Sequence, residues 1–420
     1  MFGKLKRGLF SPSVVENNFD ALCFNIILFD IFFIPLFPWF SVSVSLPILF
    51  IWYLKKRKYT LFEREHRPFV AVVILMSIST LLSFFDFEGA AYNTDFITSF
   101  KRCMQYITSF WYFFFFLYFF VFYKRKITNV VFWGIIYITL YALLYFLYQD
   151  LFVSLKQTVC PFDPQTSRWL DGNLLVYRFN YLWADPNNVA YATTALSLFF
   201  FIEEKESILK KYIVLICLLF ILFCTMSFGG IGVAAVLVSW VFFLTKSFRN
   251  GTAEILVGII IILIIAGYLI ANFEYSKELI DSSIGMRQEA YGGSLGMSDG
   301  GGRGADFMNG LSKFNPLFLF VGSGKEGYVT EIGHIYVLYM YGLPVYIYFM
   351  YVLFWKRKKQ SFIEYLPIVP LFVGFTMNIA IVEQKFLLIT LLISAYYSAE
   401  SYRRKQIKRD IVETGVNNNR

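Results

Sequence analysis

The chain has 420 residues, 57% of them hydrophobic and only 16% charged, with a mean hydropathy of +0.57. A soluble protein carries about 25% charged residues, so the composition excludes an ordinary soluble domain. A net charge of +9 would suggest nucleic acid in a soluble chain, but here Lys and Arg stand in short clusters between apolar runs, which is how a bilayer protein sets its topology.

Apolar stretches of about 17 to 25 residues are long enough to cross a bilayer. In chain order they fall near 19–37, 40–54, 68–85, 103–123, 128–148, 189–202, 212–226, 229–245, 254–272, 334–354, 363–382 and 386–399. The second and sixth are short. The aromatic surplus of 50 Phe and 29 Tyr reads as low-complexity, lipid-facing packing, as in WYFFFFLYFFVFY. No cleavable signal peptide is expected, because the first run is long, lacks a small-residue cleavage site and leads into further spans. With the N-terminus inside, the inner segments hold Lys4/Lys6/Arg7, Lys55 to Lys58 with Arg64 and Arg67, Lys124/Arg125/Lys126, Lys205/Lys210/Lys211, Lys246/Arg249, Lys356 to Lys359 and the tail from Arg403. Every inner turn is therefore basic.

The expected fold is an all-α polytopic integral membrane protein with about twelve spanning helices and both termini cytoplasmic. About five helices occupy 1–148, a first long outer loop 149–188, about four helices 189–272, a second long outer loop 273–333, three helices 334–399 and a basic cytoplasmic tail 400–420. Both loops are expected to be folded, because they carry Trp, Tyr, Pro and placed charges, and long loops of this kind are commonly functional.

The candidate chemistry is sparse. His66, in FEREHRP, reads as solvated, whereas His334 opens a span in TEIGHIYVLYMYGLP, where an imidazole can act as a general base or simply be an interfacial polar residue. Arg178, Arg287 and Arg303 lie in the outer loops. A guanidinium offers a planar fork to phosphate oxygens, although each arginine can instead pair with an acid such as Asp185 or Asp306. In ADPNNVAY, Pro186 ends any preceding helix and Asn187 or Asn188 can cap the next, which accounts for the segment without a ligand. GSGKEG at 322–327 fails the phosphate-loop pattern, since Lys325 precedes Glu326 and not Ser or Thr. Asp30 is the one acid well inside an expected span; a supporting role fits it better than proton coupling. Cys23, Cys103, Cys160, Cys217 and Cys224 have no metal or redox spacing and read as apolar packing residues.

YRFNYLWADPNNVAYATTAL, GGGRGADFMNGLSKFNPLFLFVGSGKEGY and EIGHIYVLYMYGLPVYIYFMY, in this order, resemble the membrane glycosyltransferase superfamily of O-antigen polymerases and ligases. The likeness is densest in 175–240 and 284–355. It departs at MSFGGIG, where the family often has an arginine after the seventh span. The resemblance implies metal-independent transfer of glycan from an undecaprenyl-diphosphate donor on the periplasmic side of the bacterial inner membrane, with no cofactor. It implies His334 as the group that activates the acceptor hydroxyl. Arg178 and Arg303 would hold the diphosphate, joined by Arg287, Asp185 and Asn187 in substrate binding. By analogy the partners are the lipid-linked oligosaccharide, membrane lipid, a chain-length regulator and a flippase, with no nucleic acid. Polymerase is preferred over ligase on the extreme Phe, Tyr and Ile content and loose motifs. A flippase or secondary transporter is disfavoured by the long outer loops, the single intramembrane acid and the absence of an internal repeat.

Overall fold

The computed structural model describes residues 18–36, 42–56, 63–85, 96–161, 163–174, 177–205, 207–244, 316, 318–325, 332–355, 362–378 and 380–417. Arg287, Arg303, the expected span 254–272 and most of the second long loop lie outside the described residues, as does the side chain of His66.

The described chain is helical, with no β-sheet among these residues. Its helices are α1 (Asn18–Phe33), α2 (Leu46–Lys56), α3 (Glu63–Leu82), α4 (Phe96–Tyr118, extended by a π-helical turn Phe119–Tyr123), α5 (Thr128–Leu147), α6 (Gln149–Val159), α7 (Pro164–Leu170), α8 (Pro186–Glu203), α9 (Ile208–Thr225), α10 (Phe228–Leu244), α11 (Phe318–Val321), α12 (Gly333–Met350, extended by a π-helical turn Tyr351–Trp355), α13 (Phe362–Tyr365), α14 (Ile368–Met377) and α15 (Gln384–Asn417). Among the described residues, four segments are long and apolar enough to cross a membrane: Phe96–Tyr123, Thr128–Leu147, Ile208–Thr225 and Gly333–Phe354. Exposed apolar side chains such as Val70, Ile74, Trp133, Leu140, Ile216 and Val236 coat the outside of the bundle, as lipid contact requires.

The phenylalanine run does not face outward, contrary to the sequence expectation. Tyr112 to Val121 are all buried, and the rings pack against α1 and α2, with Phe24 stacked on Phe119 at 4.7 Å and Trp52 edge-to-face with Phe115 at 4.9 Å. These aromatics are the core of the bundle.

A second buried axis, α8, is built from small residues. Ala190, Ala192, Thr193, Thr194 and Ala195 let neighbouring backbones approach closely, and the Thr193 and Thr194 hydroxyls donate to carbonyls four residues back. Tyr191 lies between two glycines: a Cβ on Gly229 would fall 2.6 Å from its hydroxyl, and one on Gly374 would fall 3.0 Å from its ring. The loop before α8 is folded, with α6 and α7 packed across it.

One end of the bundle is basic. There Lys56 pairs with buried Asp20 at 2.5 Å, and Asp20 also accepts from Tyr123 and Trp52. Lys210 reaches Asn129 at the start of α5, and Tyr396 donates to Glu203 at the end of α8. The other end carries a second group of buried polar residues, among them Asp30, Lys156, Asp163, Asn188, Glu383 and Lys385.

Candidate functional site

Arg178 sits in the irregular segment 177–185, between the cap helices α6–α7 and the start of α8. Several backbone polar groups on this segment have partners of their own. Gln165 donates to the Arg178 carbonyl at 2.6 Å, Tyr145 to the Tyr177 carbonyl at 2.6 Å, and the Phe179 N–H to the Cys224 carbonyl at 3.1 Å. The Lys156 ammonium donates to the Trp183 carbonyl at 2.8 Å, and the Glu383 carboxylate accepts from the Ala184 N–H at 3.1 Å. Lys156 lies 3.2 Å from Asp163, which caps α7 by accepting from the Thr166 N–H and hydroxyl. Burial lowers the Lys156 pKa, with Asp163 opposing the shift, and burial raises that of Glu383.

This scaffold fixes the guanidinium. Arg178 Nε donates to the Thr225 carbonyl at the end of α9 (2.9 Å), and Nη2 donates to Asn187 Oδ1 (3.2 Å). The same Asn187 oxygen accepts from the Ser227 hydroxyl at 2.8 Å. Ser227 belongs to MSFGGIG, so this turn, which holds no arginine, supplies a hydroxyl that is bound to Asn187.

The cap of α8 corrects the sequence expectation. Asp185, and not Asn187 or Asn188, is the capping residue: its Oδ1 accepts from the Asn187 N–H at 2.6 Å, with Pro186 at the first helical position. Asp185 Oδ2 accepts from Asn378 Nδ2 at 3.0 Å, and the same nitrogen lies 3.1 Å from Asn188 Oδ1. Asp185, Asn187 and Arg178 therefore belong to one hydrogen-bonded cluster.

His334 opens α12 beside the end of α14. Its Nε2 lies 2.9 Å from the Thr376 hydroxyl and its Nδ1 3.0 Å from the Tyr346 hydroxyl, with the Phe375 ring edge-on at 4.5 Å. A Cβ on the preceding Gly333 would lie 3.4 Å from the Asn378 carbonyl, which puts the start of α12 against the residue that binds Asp185 and Asn188. The His334 and Arg178 clusters thus adjoin through the end of α14.

Sequence reasoning missed the turn between α14 and α15. Five residues of this turn reach four elements: Asn378 to α8, Val382 to α4 through Arg102 (2.8 Å) and Gln105 (3.1 Å), Glu383 to the Arg178 segment, Gln384 again to α4 at Ser109 (3.3 Å), and Lys385 to Asp30 in α1 (3.0 Å). Asp30 also accepts from the Ser43 hydroxyl and the Ser45 N–H, so it ties α1 to the α15 start and the approach to α2. Asp30 is not the only buried charge: Asp20, Lys156, Lys211, Glu383 and Lys385 are buried as well. The signals available were a Glu-Gln-Lys triplet between two apolar runs and an Asp-Pro pair at 163–164 that repeats the one at 185–186.

The glycine-rich piece 322–325 makes no phosphate cradle. The Ser323 and Gly324 N–H groups bind the Tyr339 and Met340 carbonyls, and Gly322 and Gly324 take left-handed backbone. The Ser79 hydroxyl meets the Val321 carbonyl, which fastens the segment to α3. Nearer the basic end, a cleft of about 380 Å³ between α2, α3 and α4 is lined by apolar side chains including Tyr53, Phe69, Val73 and Trp111.

No known family model matches the chain, and no curated protein is similar to it.

Proposed function

We propose that the chain is a surface-polysaccharide polymerase of the O-antigen type, a twelve-span inner-membrane glycosyltransferase with both termini in the cytoplasm and its site facing the periplasm. The observation that carries this reading is the shared end of the bundle. Arg178, fixed by Thr225 and Asn187, stands there in a polar cluster beside half-buried His334, opposite the end that holds Asp20, Lys56 and Lys210.

In the proposed reaction, a sugar hydroxyl of one lipid-linked repeat unit attacks the anomeric carbon of the glycan on a second carrier. His334 takes the hydroxyl proton. The bond to the diphosphate oxygen breaks, and undecaprenyl diphosphate leaves with the electron pair. Its developing charge needs preorganised positive charge, which Arg178 supplies, with Arg303 and Arg287 assigned by resemblance alone. Asp185 and Asn187 hold the guanidinium and the α8 start in register. The apolar cleft beside Trp111 suits part of an isoprenoid chain.

Ligase activity uses the same chemistry with lipid A–core as acceptor, and nothing in the cluster selects between the two acceptors. Transport keeps a specific observation in its favour, since buried charges are more numerous than Asp30 alone; they are, however, paired across helices, as Asp30 is with Lys385 and Asp163 with Lys156.

The test is the glycolipid ladder of a strain lacking the gene. Core carrying a single repeat unit supports polymerase. Bare core with long glycan on the carrier indicates ligase, and no glycan at the outer face indicates a flippase.

A further inference from the structure

Tyr346 follows His334 by twelve residues on the same helix, a separation of about 18 Å if α12 were straight. Their side chains nevertheless meet at 3.0 Å. The bend at Gly342 (φ 79°, ψ 174°) turns the second half of α12 back toward the first. Glycine is needed there twice over, because the backbone is left-handed and a Cβ would fall 2.7 Å from the Phe320 carbonyl.

Counting donors gives the direction of each hydrogen bond. The Thr376 hydroxyl donates its one proton to the Phe372 carbonyl at 2.8 Å, so toward His334 it accepts, and Nε2 carries the ring proton. A neutral imidazole then has its lone pair on Nδ1, and the Tyr346 hydroxyl donates into it. The lone pair that would serve as base is already occupied by a phenolic proton. Tyr346 is half-buried, whereas Tyr339 and Tyr341 before the bend are fully buried.

We infer that Tyr346 is a second catalytic residue, the hydroxyl through which His334 withdraws the acceptor's proton. The inference rests on the reading of His334 as the base in glycosyl transfer. As the acceptor oxygen bonds to the anomeric carbon, its proton passes to Tyr346 Oη and the Tyr346 proton passes to His334 Nδ1. The anomeric carbon–diphosphate bond breaks and its electron pair leaves with undecaprenyl diphosphate. Tyr346 ends neutral and His334 ends as imidazolium, which donates to Tyr346 and Thr376 until it returns its proton to water.

The experiment uses the full-length protein in lipid nanodiscs, with the lipid-linked repeat unit isolated from a strain lacking the gene as probe. Transfer rates are measured in mixtures of light and heavy water. The intact protein, with two protons in flight, gives a bowed dependence of rate on deuterium fraction. Tyr346→Phe keeps the ring and loses only the hydroxyl; it unfolds cooperatively like the intact protein, transfers about 100-fold more slowly or worse, and gives a straight dependence. A straight dependence in the intact protein overturns the relay without relying on any variant. So does normal transfer by Tyr346→Phe when His334→Ala is inactive, an outcome that leaves His334 as a direct base. Normal transfer by His334→Ala overturns both the relay and the reading beneath it.

Discussion

Replacing Lys385 by methionine removes the ammonium that faces Asp30 in a place closed to water. Lys385 Nζ lies 3.0 Å from Asp30 Oδ1 and 2.7 Å from the Asp30 backbone oxygen, and each side chain is at most 2% exposed. In the variant the carboxylate keeps the Ser43 hydroxyl and the Ser45 N–H, both uncharged. Removing one partner of a buried ion pair costs about 3–5 kcal/mol, whereas an exposed pair contributes about 1 kcal/mol or less. The expected loss is therefore about 3–5 kcal/mol, or roughly two to three and a half decades in the unfolding equilibrium. Lys385→Met combined with Asp30→Asn removes both charges and recovers about 2 kcal/mol or more relative to the single lysine variant. Cys23, Cys103, Cys217 and Cys224 are free and buried, so a thiol-reactive dye reports thermal unfolding in detergent or lipid. A single variant that melts with the intact protein, or a double variant whose loss equals the sum of the two singles, would refute the claim that this pair is a desolvated, coupled tie between α1 and α15.

Further expected outcomes come from the same end of the bundle. Gly342→Ala forces a left-handed alanine against the Phe320 carbonyl; it lowers stability by about 1–3 kcal/mol in the same dye assay and abolishes transfer by parting His334 from Tyr346. Arg178→Lys keeps the charge but loses the fork that spans the Thr225 carbonyl and Asn187, so transfer falls about 100-fold with little change in melting. Burial raises the Glu383 pKa, so the folded protein holds that proton to higher pH than the unfolded chain does. The associated stability is complete below the ordinary carboxylate range and is lost as pH rises through the raised value. Glu383→Gln cannot ionise, and its melting temperature gains on the intact protein as pH is raised; a constant difference across that range would contradict the shift.

Helices were the legible part of the fold, because apolar runs of this length have few other ways to satisfy their backbone. Their details depended on side chains that hydropathy does not weigh. The first segment was expected to reach 37, but α1 stops at Phe33, two residues before Pro35. The segment expected to run through 382 breaks after Met377, where Asn378 leaves the helix to bind Asp185 and Asn188. The last helix continues to Asn417, beyond the expected 399, because YRRKQIKRDIVE keeps good helix formers after the apolar run ends. The phenylalanine run was misplaced since a ring serves lipid contact and core stacking equally well, and periodicity cannot separate the two in an uninterrupted aromatic stretch.

Arg178, Asp185, Asn187 and His334 were legible in the sequence as candidates only, through motif order. Their supports were not. Glu383 meets Ala184 across 199 residues and Lys385 meets Asp30 across 355, separations that no local pattern records. Tyr346 was hidden for a different reason, since straight-helix spacing puts it far from His334 and only the Gly342 bend brings the two together.

The most direct test of the proposed function is transfer by the purified protein in lipid nanodiscs, supplied only with undecaprenyl-diphosphate-linked repeat unit and a metal chelator. The account predicts lengthened glycan on the carrier, stoichiometric release of undecaprenyl diphosphate, and neither from the His334→Ala or Arg178→Ala protein. Correctly folded protein that leaves the repeat unit unextended, or variants that extend it as well as the intact chain does, would contradict it.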